Sequence, residues 1–261
     1  MQLSGLSAVV AGGASGLGAA AAEHLAGAGA RVAILDMNAE LGAQQAARLG
    51  GAFFPCDVTK EETAVAALQA ARAAQGVERI LVNCAGIAVG ERTVRRDRAT
   101  GEIVPHQMAS FEAVVAVNLN GTFRMMRLSA AAMMTLAPIT ADGGRGVIVN
   151  TSSVAAEDGQ LGQIAYAASK GGVAAMTLPA ARDLAKDGIR VAAILPGLFD
   201  TPMFAGLPDD IRQALAANVP FPQRLGHPSE FGALVRHICE NDMLNGVCIR
   251  LDGAVRLPAR S

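Results

Sequence analysis

Val9-Val10-Ala11-Gly12-Gly13-Ala14-Ser15-Gly16-Leu17-Gly18 decides how the rest of this chain is read. An apolar, β-branched run breaks into a Gly-x-x-x-Gly-x-Gly turn (Gly12, Gly16, Gly18) and passes into an Ala-rich stretch. Glycines between a strand and a helix allow a tight bend, let the backbone approach a pyrophosphate, and let helix pack on strand. The helix that follows presents free N–H groups and the positive end of its dipole to phosphate oxygens. Any tight connection can use glycine, so the turn gains weight from its context. Asp36 closes the next β-branched run, about 20 residues past the turn, where adenosine ribose hydroxyls are expected. A carboxylate accepts hydrogen bonds from the 2′- and 3′-hydroxyls of NAD and repels the 2′-phosphate of NADP. No arginine stands at Gly13 or Met37 to receive that phosphate. NAD is the expected cofactor; the plainer alternative for Asp36 is a strand-end or helix-cap carboxylate.

Outward from the turn, strand-like runs at 8–11, 31–36, 52–56, 79–83, 146–151, 189–195 and 247–251 alternate with helical patterns near 16–28, 39–49, 61–75, 110–137, 164–186 and 229–241. Several strands are apolar throughout, as when both faces of a sheet are covered. Regular β-α alternation implies a parallel sheet with right-handed crossovers. The expectation is one doubly wound α/β domain spanning 1–261, with seven strands flanked by helices. Two segments break the rhythm. The stretch 90–107, with Arg92, Arg95, Arg96 and Arg98, reads as an inserted loop or hairpin; 199–222, with Pro202, Pro208, Pro220 and Pro222, reads as a lid over the substrate.

Composition narrows the function classes. The 261 residues carry 22 basic and 23 acidic side chains and are 51% hydrophobic, so a self-sufficient core is expected. Near-zero net charge argues against a general electrostatic grip on nucleic acid or anionic lipid. No apolar run has the length of a membrane helix, and Met1–Ser7 lacks the charge and apolar pattern of a leader, so a cytoplasmic address is expected. Cys56, Cys84, Cys239 and Cys248 are widely spaced and form no metal-ligand pattern, nor do His24, His106, His227 and His237. The histidines are expected at surface or cap positions. Met125, Met126, Met133 and Met134 fit core or interface packing.

Tyr166, the single tyrosine, stands in Ala165-Tyr166-Ala167-Ala168-Ser169-Lys170. Positions i and i+4 of a helix are neighbours. A free phenol titrates near 10, too high for a base at neutral pH. An ammonium about 4–6 Å away, aided by a bound nicotinamide cation, is expected to lower that value by about 1–3 units. Ser153, just past a strand, could hydrogen-bond the reacting oxygen. A half-buried helix pair is the alternative reading of Tyr166 and Lys170 taken alone.

With these residues in view, the sequence resembles the short-chain dehydrogenases/reductases over nearly its whole length. The resemblance rests on the glycine turn, Asp57-Val58, Asn83-Cys84-Ala85-Gly86, Asn118, the Ser153/Tyr166/Lys170 set and Pro196-Gly197. It implies a Rossmann-type fold and, from the subgroup it matches, NAD-dependent interconversion of a 3-hydroxyacyl-CoA and a 3-oxoacyl-CoA. It also implies contacts to NAD from Gly12, Ser15, Gly16, Leu17, Gly18, Asp36, Asp57, Val58, Asn83, Cys84, Ala85, Gly86, Tyr166, Lys170, Pro196, Gly197, Phe199 and Thr201. Ser153, Gln163 and Tyr166 would hold substrate, and Asn118 would anchor a water-mediated proton relay to Lys170. The implied assembly is a homotetramer. Ala11 departs from the family, which usually has Thr there, and costs the turn a side-chain hydrogen bond. The four arginines of the 90–107 insertion could meet coenzyme A phosphates or simply be solvated. Rival functions are a 3-oxoacyl-[acyl-carrier-protein] reductase, a hydroxysteroid dehydrogenase, and a non-catalytic NAD(H)-sensing protein.

Overall fold

The structure, a computed structural model, describes residues 1–202 and 208–259. Its first strand, β1 (Ser7–Ala11), runs into α1 (Gly16–Gly27); β2 (Arg31–Asp36), α2 (Ala39–Leu49), β3 (Ala52–Pro55) and α3 (Glu61–Gln75) follow. After β4 (Ile80–Asn83) comes a small antiparallel hairpin of β5 (Val94–Arg96) and β6 (Ile103–Pro105), which forms the expected insertion. The chain continues through α4 (Met108–Val115), a π-helical turn (Ala116–Gly121), α5 (Thr122–Met133) and β7 (Gly146–Thr151). Then come α6 (Ile164–Asp183), β8 (Ile189–Pro196), α7 (Asp209–Ala217), α8 (Pro228–Glu240) and β9 (Cys248–Leu251).

Seven strands form one parallel sheet in the order β3-β2-β1-β4-β7-β8-β9, with Val9 level with Ala33 on one side and Leu81 on the other. The order reverses between β1 and β4, and ligands of such sheets bind at the carboxyl ends of strands beside that switch. The central strands are largely apolar because alternate residues enter two different cores. Val10, Ile34 and Val149 face Leu25, Phe231 and Ile238; Val9, Leu35 and Ile148 face Leu68, Met125 and Met133. Met134, by contrast, is exposed. The small side chains of α1 let α8 press close: a Cβ on Gly232 would lie 2.5 Å from the Ala20 carbonyl oxygen.

The long helical pattern at 110–137 is interrupted by the π-helical turn, which shifts the face that residues around Asn118 present. Of the expected lid, 203–207 lie outside the described residues, and α7 occupies part of what the prolines suggested was irregular. His106 also departs from expectation. Its ring is buried, edge-on to Phe111 and 3.7 Å from a Glu91 carboxylate oxygen, rather than at the surface. No helix among the described residues is long and apolar enough to cross a membrane.

Candidate active site

The glycine turn is shaped by contact. Gly12 has φ +76°, and a Cβ there would lie 2.3 Å from the Ala85 nitrogen; one on Gly18 would lie 2.0 Å from the Gly12 carbonyl oxygen. The turn is thus wedged against the residues after β4. Ser15 precedes α1 without a side-chain cap bond, and the first helical turn holds no acid. Those N–H groups are the kind that receive an anion. Thr201 stands opposite, its Cβ 3.6 Å from where a Gly16 Cβ would be. At the end of β2, one Asp36 oxygen accepts from the Ala14 N–H (3.1 Å) and the other from the Asn38 N–H (3.0 Å). The carboxylate therefore ties the turn to its neighbouring strand and keeps a lone pair free on each oxygen.

Further pieces line the same strand ends. Asp57 closes its turn by accepting from the Thr59 N–H (2.9 Å) and hydroxyl (2.6 Å), and the Thr59 hydroxyl holds its carboxyl below the ordinary value. Val58 packs under Gly121, and Leu17 packs on the core. Asn83 donates to the Asn150 side-chain oxygen across β4 and β7 (2.9 Å). Cys84 lies 3.3 Å from the Thr151 hydroxyl, and burial pushes its thiol to about 11, so it stays protonated at neutral pH. Gly86 lies close under the site: a Cβ there would press on Asn118 Oδ1 at 3.2 Å and touch Lys170 Nζ at 3.5 Å. Pro196 ends β8, Gly197 packs against Asp252, and buried Phe199 bridges to Gly226.

Ser153 follows β7, and Tyr166 and Lys170 share a face at the start of α6. The Ser153 hydroxyl accepts from the Ala155 N–H (3.1 Å) and favours the charged form of the phenol. Lys170 is buried, donates to the Thr151 carbonyl (2.8 Å), and stands 5.8 Å from the centre of the Tyr166 ring. Burial pushes its ammonium down to about 8. Burial also raises the Tyr166 phenol above its ordinary value, with the Ser153 hydroxyl pulling the other way. The expected acidification by Lys170 is therefore not achieved by the chain itself: the ammonium is drawn to a backbone carbonyl and the ring is desolvated.

Asn118 is fully buried, and its side chain acts as a brace. Its oxygen accepts from the Ile87 N–H (2.8 Å), and its nitrogen donates to the Ile87 carbonyl (2.9 Å) and the Ser169 hydroxyl (3.0 Å). Both amide hydrogens are used, so any water held here would rest on its oxygens. Gln163 is folded back, its side-chain oxygen accepting from the Gln160 N–H (3.0 Å) rather than reaching outward. Three positions absent from the expected site brace its catalytic turn. Ser169 donates to the Tyr166 carbonyl (2.8 Å), Ser152 to the Lys170 carbonyl (2.7 Å), and the Thr151 carbonyl holds the ammonium. Ser169 was discoverable from its spacing on the face of Tyr166; a backbone carbonyl leaves no such mark. Among the described residues, no cluster of His, Cys, Asp or Glu could hold a metal ion.

The chain is similar to proteins of known class along almost its entire length. The short chain dehydrogenase family model matches residues 7–212. A 3-hydroxyacyl-CoA dehydrogenase type-2 of Bos taurus is 51% identical over 258 residues, covering 98% of this chain and 97% of that protein. Its namesake from Homo sapiens is 50% identical with the same coverage. A crystal structure of 3-hydroxyacyl-CoA dehydrogenase type-2 from Mycobacterium avium superposes with a TM-score of 0.92 at 41% identity, covering 98% of both chains. With its parallel seven-stranded sheet and its Ser153, Tyr166 and Lys170 gathered at one end, the chain belongs to the short chain dehydrogenase family and is an oxidoreductase.

Proposed function

We propose that this chain is an NAD-dependent dehydrogenase that interconverts a 3-hydroxyacyl-CoA and the corresponding 3-oxoacyl-CoA. The observation that carries the reading is the convergence of Ser153, Tyr166 and Lys170 on the strand ends beside a glycine turn tied to Asp36. The names of relatives about half identical to it support the acyl-CoA class. The open N-terminus of α1, the closely packed Gly12 and Gly18, and the spare acceptors of Asp36 all suit NAD. When bound, the nicotinamide supplies the acceptor for the carbinol hydride.

The chain's own residues supply the rest. Ser153 donates a hydrogen bond to the reacting oxygen and steadies it between alcohol and carbonyl. Tyr166 gives or takes the proton at that oxygen. Lys170, still mostly protonated at pH 7, keeps a positive charge beside the phenol and favours the phenolate that proton transfer creates. Asn118, Ser152 and Ser169 hold this turn of α6 rigid, which is where preorganisation contributes. On the hairpin, Arg92, Arg95, Arg96 and Arg98 border an open groove of about 590 Å³ and suit the phosphates of coenzyme A. Two of them are partly engaged, Arg95 by Asp97 (3.0 Å) and Arg96 by the Gly101 carbonyl (2.9 Å).

The proposal includes a homotetramer in the cytoplasm. Exposed Met108, Phe123 and Met134 on α4 and α5 and at their end support assembly, and light scattering would read the mass. The function is tested by assaying acetoacetyl-CoA, 2-methyl-3-hydroxybutyryl-CoA and a 17β-hydroxysteroid, each with NAD(H) and NADP(H). Acyl-CoA turnover with NAD(H) supports the reading. Turnover of the steroid alone, or a preference for NADP(H), overturns it.

A further inference from the structure

Between Ser153 and Tyr166 the chain passes through segment 157–163, so a shift of that segment moves both groups proposed to hold the reacting oxygen. Little apolar burial anchors it, since Leu161 is 53% exposed. Polar ties from remote parts of the chain hold it instead. At the end of β9, Arg250 spreads one guanidinium over Asp158 (2.7 Å), Glu157 and Asp252 (2.8 Å), and donates to the Val255 carbonyl (3.0 Å). Farther along, the Pro258 carbonyl accepts from the Gln160 side chain (2.9 Å) and the Ala259 carbonyl from the Leu161 N–H (3.1 Å). From the hairpin side, the Glu91 N–H donates to the Gly162 carbonyl (2.8 Å). Gln160 passes the restraint on, because its N–H holds the Gln163 side chain at the start of α6.

We propose that Arg250 and the C-terminal backbone at Pro258 and Ala259 form a strap that positions segment 157–163 and so sets the affinity of this enzyme for its acyl substrate. The inference rests on the dehydrogenase reading above. Arg250 is a positioning residue, acting through Glu157 and Asp158 rather than on the reacting atoms. A guanidinium is needed because its planar fork meets Asp158 and Asp252 at once, which a lysine ammonium does less well. Without it, Glu157 and Asp158 lose the cation that holds them, and Asp252 keeps only Arg256 (3.3 Å).

The test measures KM for acetoacetyl-CoA, kcat, NADH affinity by fluorescence titration, and Tm in the full-length protein and its R250K, R250Q, Q160A, R250Q/Q160A and R250Q/D158N variants. In R250Q the acyl-CoA KM should rise about tenfold while NADH affinity stays within about twofold. R250K should fall between, R250Q/D158N should regain part of the loss, and Q160A should add less in R250Q than alone. An acyl-CoA KM unchanged in R250Q, or NADH affinity falling in parallel, overturns the strap, the latter being what general loosening produces. Should R250Q fail to fold, Q160A, which removes one half-buried carboxamide, carries the same test, with an expected KM rise of about threefold. No turnover by the unmodified protein would overturn the dehydrogenase reading and the strap's role together. An active parent with insensitive variants overturns the strap alone.

Discussion

Lys170 donates a 2.8 Å hydrogen bond to the Thr151 carbonyl at the end of β7, and this bond holds its ammonium beneath Gly86 rather than in solvent. Burial lowers the lysine from 10.5 to about 8. Between those values the unfolded chain holds a proton that the folded chain has released, so the lysine's penalty on stability is full below about pH 8 and fades as pH rises towards 10.5. Lys170→Met should therefore stabilise the protein by about 1–2 kcal/mol at pH 7, after loss of the bond to Thr151 is subtracted. Denaturant melts at pH 7 and pH 10 should show that gain shrinking with pH. Turnover should fall at least about 100-fold in the same variant.

Tyr166→Phe removes only the phenolic oxygen from a half-buried ring, so packing and cofactor binding should be nearly untouched. Turnover should fall by about 10³-fold or more, and NADH titration should stay within about twofold. The raised phenol also sets the wild-type pH profile. Alcohol oxidation needs the deprotonated form, so its rate should climb with pH from 7 and climb less steeply once Lys170 begins to discharge near pH 8. Ketone reduction needs the neutral phenol and should hold level until Lys170 begins to discharge near pH 8. Retention of most activity in the phenylalanine variant would refute the mechanism.

The central strands of the main sheet were legible because they are buried on both faces, which erases alternation and leaves short apolar runs, whereas the edge strands β3 and β9 are only half-buried. Their order was not, since lateral pairing depends on which helices cover which face. The continuous pattern at 110–137 hid the π-helical turn, because residues 116–121 keep helical composition while their frame shifts and carries Asn118 inward. That Tyr166 and Lys170 are neighbours was legible from spacing and their role from the glycine turn, Asp36 and Ser153 beside them, whereas the direction of the phenol's shift was not. Spacing says who is near; desolvation is a property of the whole fold. The Thr151 carbonyl escaped for a related reason, as every residue has one.

Asp36 holds the glycine turn and is proposed to hold the ribose, and two substitutions separate these duties. Asp36→Asn retains an acceptor for Ala14 or Asn38 but removes the charge that would repel a 2′-phosphate. It should lower the preference for NAD over NADP about tenfold or more with little loss of stability. Asp36→Ala orphans both N–H groups and should also cost about 1–2 kcal/mol in a thermal or urea melt. Unchanged NAD/NADP kinetics in both would return Asp36 to a purely architectural role.

Asn118, itself fully buried, makes three side-chain hydrogen bonds, two of them to the Ile87 backbone. Asn118→Ala leaves that N–H and carbonyl without partners and should destabilise the fold by about 2–3 kcal/mol. It also frees Ser169, and through it the Tyr166 turn. We expect kcat to fall tenfold or more, with NADH affinity changed much less. Equal losses in both would show that the brace serves the cofactor side instead.

Two glycines at opposite ends of α1 make opposite predictions. A Cβ on Gly18 would lie 2.0 Å from the Gly12 carbonyl oxygen and 3.1 Å from Cys84 Cβ, so Gly18→Ala must push the helix away from the turn that it closes. NADH affinity should drop at least about tenfold and stability by about 2 kcal/mol or more. At Gly27, the last residue of the same helix, an added Cβ meets nothing within 4 Å, and the residue is not in the left-handed region. Gly27→Ala should stabilise by about 0.5–1 kcal/mol, through better helix propensity and a less flexible unfolded chain, with NADH affinity unchanged. The pair isolates close approach at the turn from helix propensity as the reason glycine is required there.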